Sequence, residues 1–220
     1  MESKANRCKR VPRTDGTETR KQIIECAGKL IAQKGFVATT SKEICQELGI
    51  NLAAINYHFG SRDGLYVEIL SNVHDHLLSL DFLEELASEQ LTLQQRVEQL
   101  IGFIIHKACI EEDWQLQLWL REIVSGNPLL DKVIEKTVLP KLKLVLTIFG
   151  AYFELALDDM RLHSLIQCLL APVFSFIIAR QHNVQRLLPA TYDLQHFVEL
   201  MQANILINLQ AQRAALAAKH

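Results

Sequence analysis

Residues 40–59 constrain this chain more than any other stretch, because they read as two short helices joined by a tight turn. Thr40 and Glu43 have the spacing of a capping box, which predicts that a helix starts there. Gly49 supplies the left-handed residue that ends such a helix, and Asn51 is a good N-cap for a second one. The pattern therefore predicts a helix, a three-residue turn and another helix.

The second helix carries small and hydrogen-bonding side chains and almost no charge. Ala53 and Ala54 would let the backbone approach base edges and thymine methyl groups. Asn56 can pair with adenine or a phosphate, and Tyr57 and His58 can donate to phosphates. These features favour a DNA groove as the partner. The alternative is a plain helical hairpin inside an all-helical core, and the spacing alone does not separate the two.

The residues that follow, 57–66 with the sequence YHFGSRDGLY, resemble the junction between the third and fourth helices of TetR-family transcriptional repressors. The ending of the first amphipathic helix at residues 34–36, the Thr39-Thr40 pair and the turn at 49–51 fall at that family's spacing. The sequence of residues 51–61 is most similar to that of the CecR-type branch of the family. It departs from the commoner family pattern, which has an aromatic residue at the Asn56 position, so the operator sequence of other members does not transfer.

The resemblance implies an all-α fold with an N-terminal three-helix DNA-binding domain and a C-terminal helical domain for effector binding and dimerisation. It also implies that Arg62, in the first turn of a helix capped by Ser61, clamps a DNA phosphate. The alternative is that Arg62 is a solvent-exposed surface residue that binds no phosphate. The predicted DNA-binding residues are Thr40, Ser41, Asn51, Ala53, Ala54, Asn56, Tyr57, His58 and Arg62.

Charge distribution supports this division of the chain. The formal net charge of −2 argues by itself against a nucleic-acid binder. Residues 1–66, however, hold 11 Lys and Arg against 7 Asp and Glu, whereas the remainder holds 12 against 18. We therefore expect a basic arm at 1–16, a DNA-binding domain at 17–77 and an effector-binding and dimerisation domain at 78–220. The arm could follow a phosphate or a minor groove, and a solubilising tail is the alternative.

Cysteine and hydropathy patterns indicate a reduced cytoplasmic protein without a signal peptide or a membrane span. The five cysteines form no C-x-x-C pair, and Cys8 in the basic arm is the one plausible redox thiol. His74 and His76 are two residues apart, so they lie on different helix faces and cannot share a metal. We interpret both as surface residues and expect no metal, cofactor or catalytic site.

The second domain carries two further sets of predicted site residues. Candidate liners of an effector pocket, each of which also has a reading as plain packing, are His106, Cys109, Trp114, Trp119, Arg121, Phe149, Tyr152, Phe153 and Phe174. Two late apolar stripes are candidates for a dimer interface, namely Leu165, Leu169, Val173 and Phe176 together with Phe197, Met201 and Ile205. A two-fold partner is also expected because one short recognition helix reads only one half-site.

These features together predict a homodimeric repressor that binds a palindromic DNA operator and releases it when an unidentified small-molecule effector tilts the fourth helix. A helical protein-interaction adaptor is a different possibility. An enzyme that uses His106, Glu111, Glu112 or Asp113 is a third, but the sequence has no nucleophile elbow, phosphate loop or metal-ligand cluster to support it.

Overall fold

The computed structural model describes residues 16–87, 91–109, 114–181 and 193–218, and none of these lies in a β-strand. The predicted all-α class is confirmed. The helices are Gly16–Lys34 (α1), Ser41–Leu48 (α2), Ala53–Phe59 (α3), Arg62–Leu77 (α4), Leu80–Ala87 (α5), Leu93–Cys109 (α6), Trp114–Ser125 (α7), Leu129–Val133 (α8), Leu139–Phe153 (α9), Met160–Gln181 (α10) and Leu194–Ala217 (α11). A π-helical segment, Ile134–Val138, joins α8 to α9.

The chain forms two compact units, Met1–Ile69 and Leu70–His220. The boundary falls within α4, so this helix begins in the first unit and ends in the second. The boundary predicted from the sequence lies at the far end of the same helix. The functional roles assigned to the two parts stay predictions, and the predicted arm lies outside the described residues apart from Gly16.

Apolar side chains from all four helices fill the core of the first unit. On α1 the buried residues Ile23, Ala27 and Ile31 repeat every four positions, which places them on one helix face. Ile44 of α2 and Ile55 of α3 are equally buried. The core therefore fixes the inner faces of α2 and α3 and leaves their outer faces in solvent.

Gly64 allows α4 to pass close to the end of α3. A Cβ atom at this position would lie 2.2 Å from the Phe59 carbonyl oxygen and 3.3 Å from Ser61 Oγ. The first of these distances is far below any normal contact, and the atom concerned belongs to the backbone. In the sequence Gly64 is only one residue of the junction at 57–66, and no local pattern there indicates this steric role.

Replacing Gly64 with alanine should therefore destabilise the first unit. Forcing a methyl group into a packed site costs about 1–3 kcal/mol, and here α3 or α4 must shift to make room. Urea unfolding followed by circular dichroism would measure the loss. Gly60→Ala is an instructive comparison, because nothing lies within 4 Å of a Cβ atom there and the strain would come only from its positive φ of 72°. An unchanged midpoint for Gly64→Ala would contradict the steric role.

The second unit is built around α6, α9, α10 and α11. Its core holds the buried aromatic side chains Phe149, Tyr152 and Phe153 of α9, packed against apolar residues of the other three helices. Asn127 lies two residues before α8, and its Oδ1 accepts a hydrogen bond from the Leu129 backbone N–H at 3.0 Å. Pro140 is the second residue of α9 and directly follows the π-helical segment, so its missing backbone N–H falls where the helical hydrogen-bond pattern changes.

One helix departs from the predicted hydropathy pattern. The window Met160–Ile177 of α10 is long and apolar enough to cross a membrane by length and composition alone, with a mean hydropathy of 1.4, and 33% of it is buried. A single helix of this kind is weak evidence for a membrane span, because core helices of soluble proteins have the same length and composition.

Candidate nucleic-acid interface

Thr40 caps α2 as the sequence predicts. Its Oγ1 accepts a hydrogen bond from the Glu43 backbone N–H at 3.2 Å, and its own backbone is extended. The reciprocal half of the capping box is absent, because the Glu43 carboxylate pairs with Lys34 at the end of α1. Its hydrogen bond with Lys34 is the main reason why the pKa of Glu43 lies below its usual range. Glu43 therefore ties α2 to α1 rather than to its own N-terminus.

The turn between α2 and α3 has the geometry that its sequence predicts. Gly49 adopts the left-handed conformation with φ 64°, and the Ile50 backbone N–H donates back to the Cys45 carbonyl at 3.0 Å. Asn51 then caps α3, since its Oδ1 accepts from the Ala53 backbone N–H at 2.9 Å. Two capped helix ends thus fix how α3 leaves the turn.

The outer face of α3 is formed by Ala53, Asn56 and Tyr57, which are all exposed and stand at positions i, i+3 and i+4. Tyr57 is 84% exposed, and its ring meets the half-buried His58 edge to face. Ala54 is half-buried beside them. Thr40 at the start of α2 is exposed and the neighbouring Ser41 is half-buried. Helix α3 therefore presents a small, polar and nearly uncharged surface.

Leu52 belongs to the same surface and is absent from the predicted set. It lies between the capping residue Asn51 and the first residue of α3, and it is 50% exposed. An exposed leucine next to hydrogen-bonding residues offers an apolar contact of the kind that thymine methyl groups make. Its position in the turn was the only signal in the sequence.

Arg62 does not behave as a free surface arginine. Its Nη2 donates to the backbone carbonyls of Phe36 and Thr39, the latter at 2.8 Å, and its guanidinium lies 4.0 Å from the centroid of the Phe36 ring. The opposite side of that ring stacks on Tyr66 at 4.0 Å with an interplanar angle of 14°. Arg62 therefore holds the loop between α1 and α2 from within the domain, and contact with a DNA phosphate stays a prediction.

Ser61 caps α4 as predicted, accepting from the Gly64 backbone N–H at 2.9 Å. The first turn of α4 thus starts directly behind the outer face of α3. Backbone amides at a helix N-terminus favour anions, and a DNA phosphate at this end of α4 stays a prediction.

The predicted effector-pocket residues do not line one common surface. Cys109, Phe149, Tyr152 and Phe153 are buried in the core of the second unit. Trp114 and Trp119 are half-buried, whereas the remaining three, His106, Arg121 and Phe174, are exposed. His106 in particular does not lie on an apolar face. Helical periodicity placed these residues on faces correctly, but it could not show which faces meet.

The predicted dimer stripes require a similar correction. Leu169, Val173, Phe176, Met201 and Ile205 are buried within the subunit, with the half-buried Leu165 and Phe197 packed against the same core. The five buried residues have little surface left for a partner, Leu165 and Phe197 keep some, and the position of a dimer interface stays a prediction. The opposite faces of α10 and α11 are the ones in solvent, with exposed apolar side chains at Met160, Phe174, Leu200 and Ile207.

The second unit contains a buried polar cluster whose members are too far apart in the sequence for a local pattern to indicate it. His74 of α4 is 8% exposed and Lys141 of α9 is 3% exposed. Lys141 Nζ lies 3.1 Å from His74 Nδ1 and 2.6 Å from Asp75 Oδ1, and the Trp119 ring of α7 meets the His74 ring at 4.8 Å. Burial, followed by the charge of Lys141, lowers the pKa of His74 to about 4. The interpretation of His74 as a surface residue is wrong.

Metal chemistry finds no support in the described ranges, where no group of three or more histidine, cysteine, aspartate or glutamate side chains could hold an ion. Cys8 lies outside the described residues, as do Glu111, Glu112 and Asp113 of the enzyme alternative.

Helix α2 is capped at its start, a turn with Gly49 follows, and the short helix α3 exposes one face to solvent. This is the arrangement of a helix-turn-helix DNA-binding domain. Comparison with known families agrees. Residues 23–69 match the bacterial regulatory proteins of the tetR family, and residues 89–212 match the C-terminal domain of the HTH-type transcriptional dual regulator CecR. The chain belongs to the TetR family of bacterial regulatory proteins and is related to CecR, which confirms the resemblance found in the sequence.

Individual relatives carry names of transcriptional regulators and not of enzymes. The probable HTH-type transcriptional regulator YttP of Bacillus subtilis (strain 168) is 28% identical over 128 residues, which is 58% of this chain and 60% of YttP. CecR of Shigella flexneri is 37% identical over 62 residues, covering 28% of this chain and 27% of CecR. The chain thus aligns with less than two thirds of the length of either relative.

Solved structures support the fold over a larger share of the chain. The fatty acid degradation regulator FadR from Bacillus halodurans has a TM-score of 0.60 at 16% sequence identity. The match covers 90% of this chain and 97% of that one. Similarity at this level of identity concerns the fold alone.

Proposed function

We propose that this protein is a homodimeric repressor that binds a palindromic DNA operator through α3 and releases it when a small molecule binds the second unit. The observation that carries the proposal is the outer face of α3, where Ala53, Asn56 and Tyr57 stand exposed on a helix that Gly49 and Asn51 hold in position. Such a face can enter a major groove without placing any carboxylate next to the phosphates. The proposal places the protein in the cytoplasm, where its DNA would be.

Dimerisation is supported by the outer faces of α10 and α11. Ile207 is 63% exposed and Leu200 49% exposed on α11, and Met160 and Phe174 are exposed on α10. Exposed apolar residues along two long neighbouring helices favour a protein partner over water. A second copy of the chain would cover them and would also supply the second recognition helix that a two-fold operator requires. The proposed interface is therefore this outer face.

Release of DNA is supported by the way α4 is held. Its second half is tied to the π-helical segment by the Ser71–Thr137 hydroxyl pair at 3.3 Å and to α9 by the contacts of Lys141. Its first residue is Arg62, and Ser61 caps its N-terminus. An effector that binds better to one arrangement of the second unit would change the preferred position of α4 and shift the population toward a dimer that does not fit the operator.

Selection of bound sequences from a random duplex pool would test the proposal, because it reports half-site length and symmetry together. We expect two inverted half-sites whose centres lie about one or more helical turns apart. Binding should weaken steeply as salt rises, since phosphate contacts release counterions. Recovery of a single asymmetric site, or no enrichment at any salt concentration, would contradict it. An operator-free protein partner found instead would favour the adaptor alternative.

Substitutions on α3 should separate base reading from phosphate binding. Asn56→Ala should weaken binding to the selected operator by about 1–3 kcal/mol while leaving random DNA almost unaffected. Tyr57→Ala should weaken both DNAs to a similar extent and reduce the salt dependence, because its hydroxyl is expected to donate to a phosphate. Fluorescence anisotropy at two or more salt concentrations would measure both effects. Equal losses on operator and random DNA for Asn56→Ala would disprove its base-reading role.

A further inference from the structure

We infer that the second unit binds an organic cation, such as a protonated amine, on the inward face of α7. This inference rests on the proposed function, since it names the chemical class of its effector. The face is formed by Gln115, Leu118, Trp119 and Glu122, which stand at positions i, i+3, i+4 and i+7 of one helix. Leu118 is fully buried, so this side of α7 points into the unit.

Two oxygen acceptors on this face lack the partners that burial normally requires. Glu122 is 3% exposed, and its carboxylate accepts one hydrogen bond, from Asn127 Nδ2 to Oε2 at 3.2 Å. Within the described parts of the chain no lysine or arginine pairs with it. Gln115 Oε1 is buried without any hydrogen-bond partner. Buried carboxylates are costly unless a cation or several donors meet them, so a donor with positive charge would stabilise this face.

Trp119 provides the third element of the site. It stands between the two acceptors, one turn from each, and is half-buried. Tryptophan has the best aromatic face for a cation, and this attraction strengthens where water is excluded. A carboxylate, an amide oxygen and an indole ring on one helix face therefore favour a ligand that carries a positive charge and N–H donors on an apolar body.

An anionic ligand is disfavoured by the same surroundings. The Trp119 ring contacts His74, and His74 contacts the buried Lys141. The Lys141 ammonium already contacts His74 Nδ1, the His74 carbonyl and Asp75 Oδ1. Those three contacts use the three N–H groups of the ammonium. No donor is left there for a ligand carboxylate or phosphate.

The position of Trp119 gives such a ligand a route to the DNA-binding helix pair. Its ring contacts His74, and His74 lies on α4, the helix that continues into the first unit. A cation that draws Trp119 toward Glu122 changes the contact that supports α4. The ligand class and the release step proposed above are thus connected through one ring pair.

A purely structural role for Glu122 is the competing explanation, because its bond to Asn127 helps to hold the loop that leads into α8. Glu122→Gln separates the two roles. A glutamine carbonyl can still accept from Asn127, whereas the negative charge is removed. Glu135→Gln is the matched control, since Glu135 is an exposed carboxylate of the neighbouring π-helical segment.

The experiment titrates the full chain, free of DNA, with three probes that share a phenylalkyl body, namely 2-phenylethylamine, 2-phenylethanol and 3-phenylpropionate at pH 7. A Trp114→Phe background leaves Trp119 as the only tryptophan, and its fluorescence reports binding. We expect saturable binding of the amine, weaker binding of the alcohol and none of the carboxylate. Glu122→Gln should lower amine affinity by about tenfold or more, while Glu135→Gln leaves it unchanged.

Equal binding of amine and alcohol, an amine affinity unchanged by Glu122→Gln, or no saturable response to the amine would each overturn the inference. Thermal unfolding of Glu122→Gln without ligand guards against misfolding, and its midpoint should equal or exceed that of the parent because an unpaired buried charge is removed. DNA selection on ligand-free protein reports separately on the proposed function. Amine binding without DNA binding would keep this inference and reject the repressor, and the reverse result would do the opposite.

Discussion

Arg62→Ala is expected to lower the free energy of unfolding of the first unit by about 4 kcal/mol, through the loss of two charge-assisted hydrogen bonds and a cation–π contact. The two carbonyl acceptors belong to Phe36 and Thr39, which lie 26 and 23 residues earlier in the chain. Without the guanidinium, the loop between α1 and α2 keeps the Thr39 hydroxyl bond to the Gly35 carbonyl but loses its link to α4. DNA binding should fall as a consequence of the displaced loop.

Arg62→Lys distinguishes this positioning role from a direct phosphate contact. A lysine keeps the charge but lacks the planar fork that reaches two carbonyls while stacking on a ring. We therefore expect Arg62→Lys to retain less than half of the stability that Arg62→Ala loses. Chemical unfolding would measure stability, and anisotropy with operator DNA would measure binding. Full stability in both variants, combined with a loss of DNA affinity in Arg62→Ala alone, would instead support the phosphate clamp that the family resemblance implies.

Local features of the helix-turn-helix were predictable because their partners are close in sequence. Thr40, Asn51 and Ser61 each accept from a backbone N–H two or three residues away, so a capping pattern is sufficient to find them. Gly49 is required by the left-handed conformation that ends α2. The same short range explains why family membership could be recognised from residues 17–70 alone.

Contacts between distant residues could not be predicted in this way. Glu43 was expected to complete a capping box, but it pairs with Lys34 across the turn between α1 and α2. The guanidinium of Arg62 donates to carbonyls of the loop between α1 and α2, and the sequence does not predict the conformation of that loop. In both cases a side chain had a local option and a tertiary option, and packing decided between them.

The second unit shows the limit of helical periodicity. The pattern correctly indicates apolar stripes on α10 and α11, but each helix has an inner and an outer apolar face. The stripe that includes Val173 and Met201 fills the core, whereas Ile207 remains in solvent. The sequence pattern does not specify which of the two apolar stripes packs inside the subunit. The proposed dimer interface therefore lies on the outer faces of α10 and α11.

His74 makes the stability of the second unit depend on pH. Its pKa falls from an ordinary 6.5 to about 4, first because of burial and then because of the neighbouring Lys141, while Asp75 acts in the opposite direction. Between these two values the unfolded chain binds a proton that the folded chain excludes, so stability is complete above pH 6.5 and declines as the pH falls toward 4. A difference of that size corresponds to about 3 kcal/mol.

Urea unfolding at pH 7.5 and at pH 4.5, followed by tryptophan fluorescence, would measure this loss, because both tryptophans lie in the second unit. His74→Gln should remove about 3 kcal/mol of the difference between the two pH values, since an amide does not titrate and can still accept from Lys141. His76→Gln is the matched control, because His76 lies two residues further along α4 with an exposed side chain. If His74→Gln and His76→Gln kept the same pH dependence as the parent, the loss would have to come from carboxylates elsewhere in the unit. The cluster that holds the second half of α4 would then stabilise the fold by packing and not by excluding a proton.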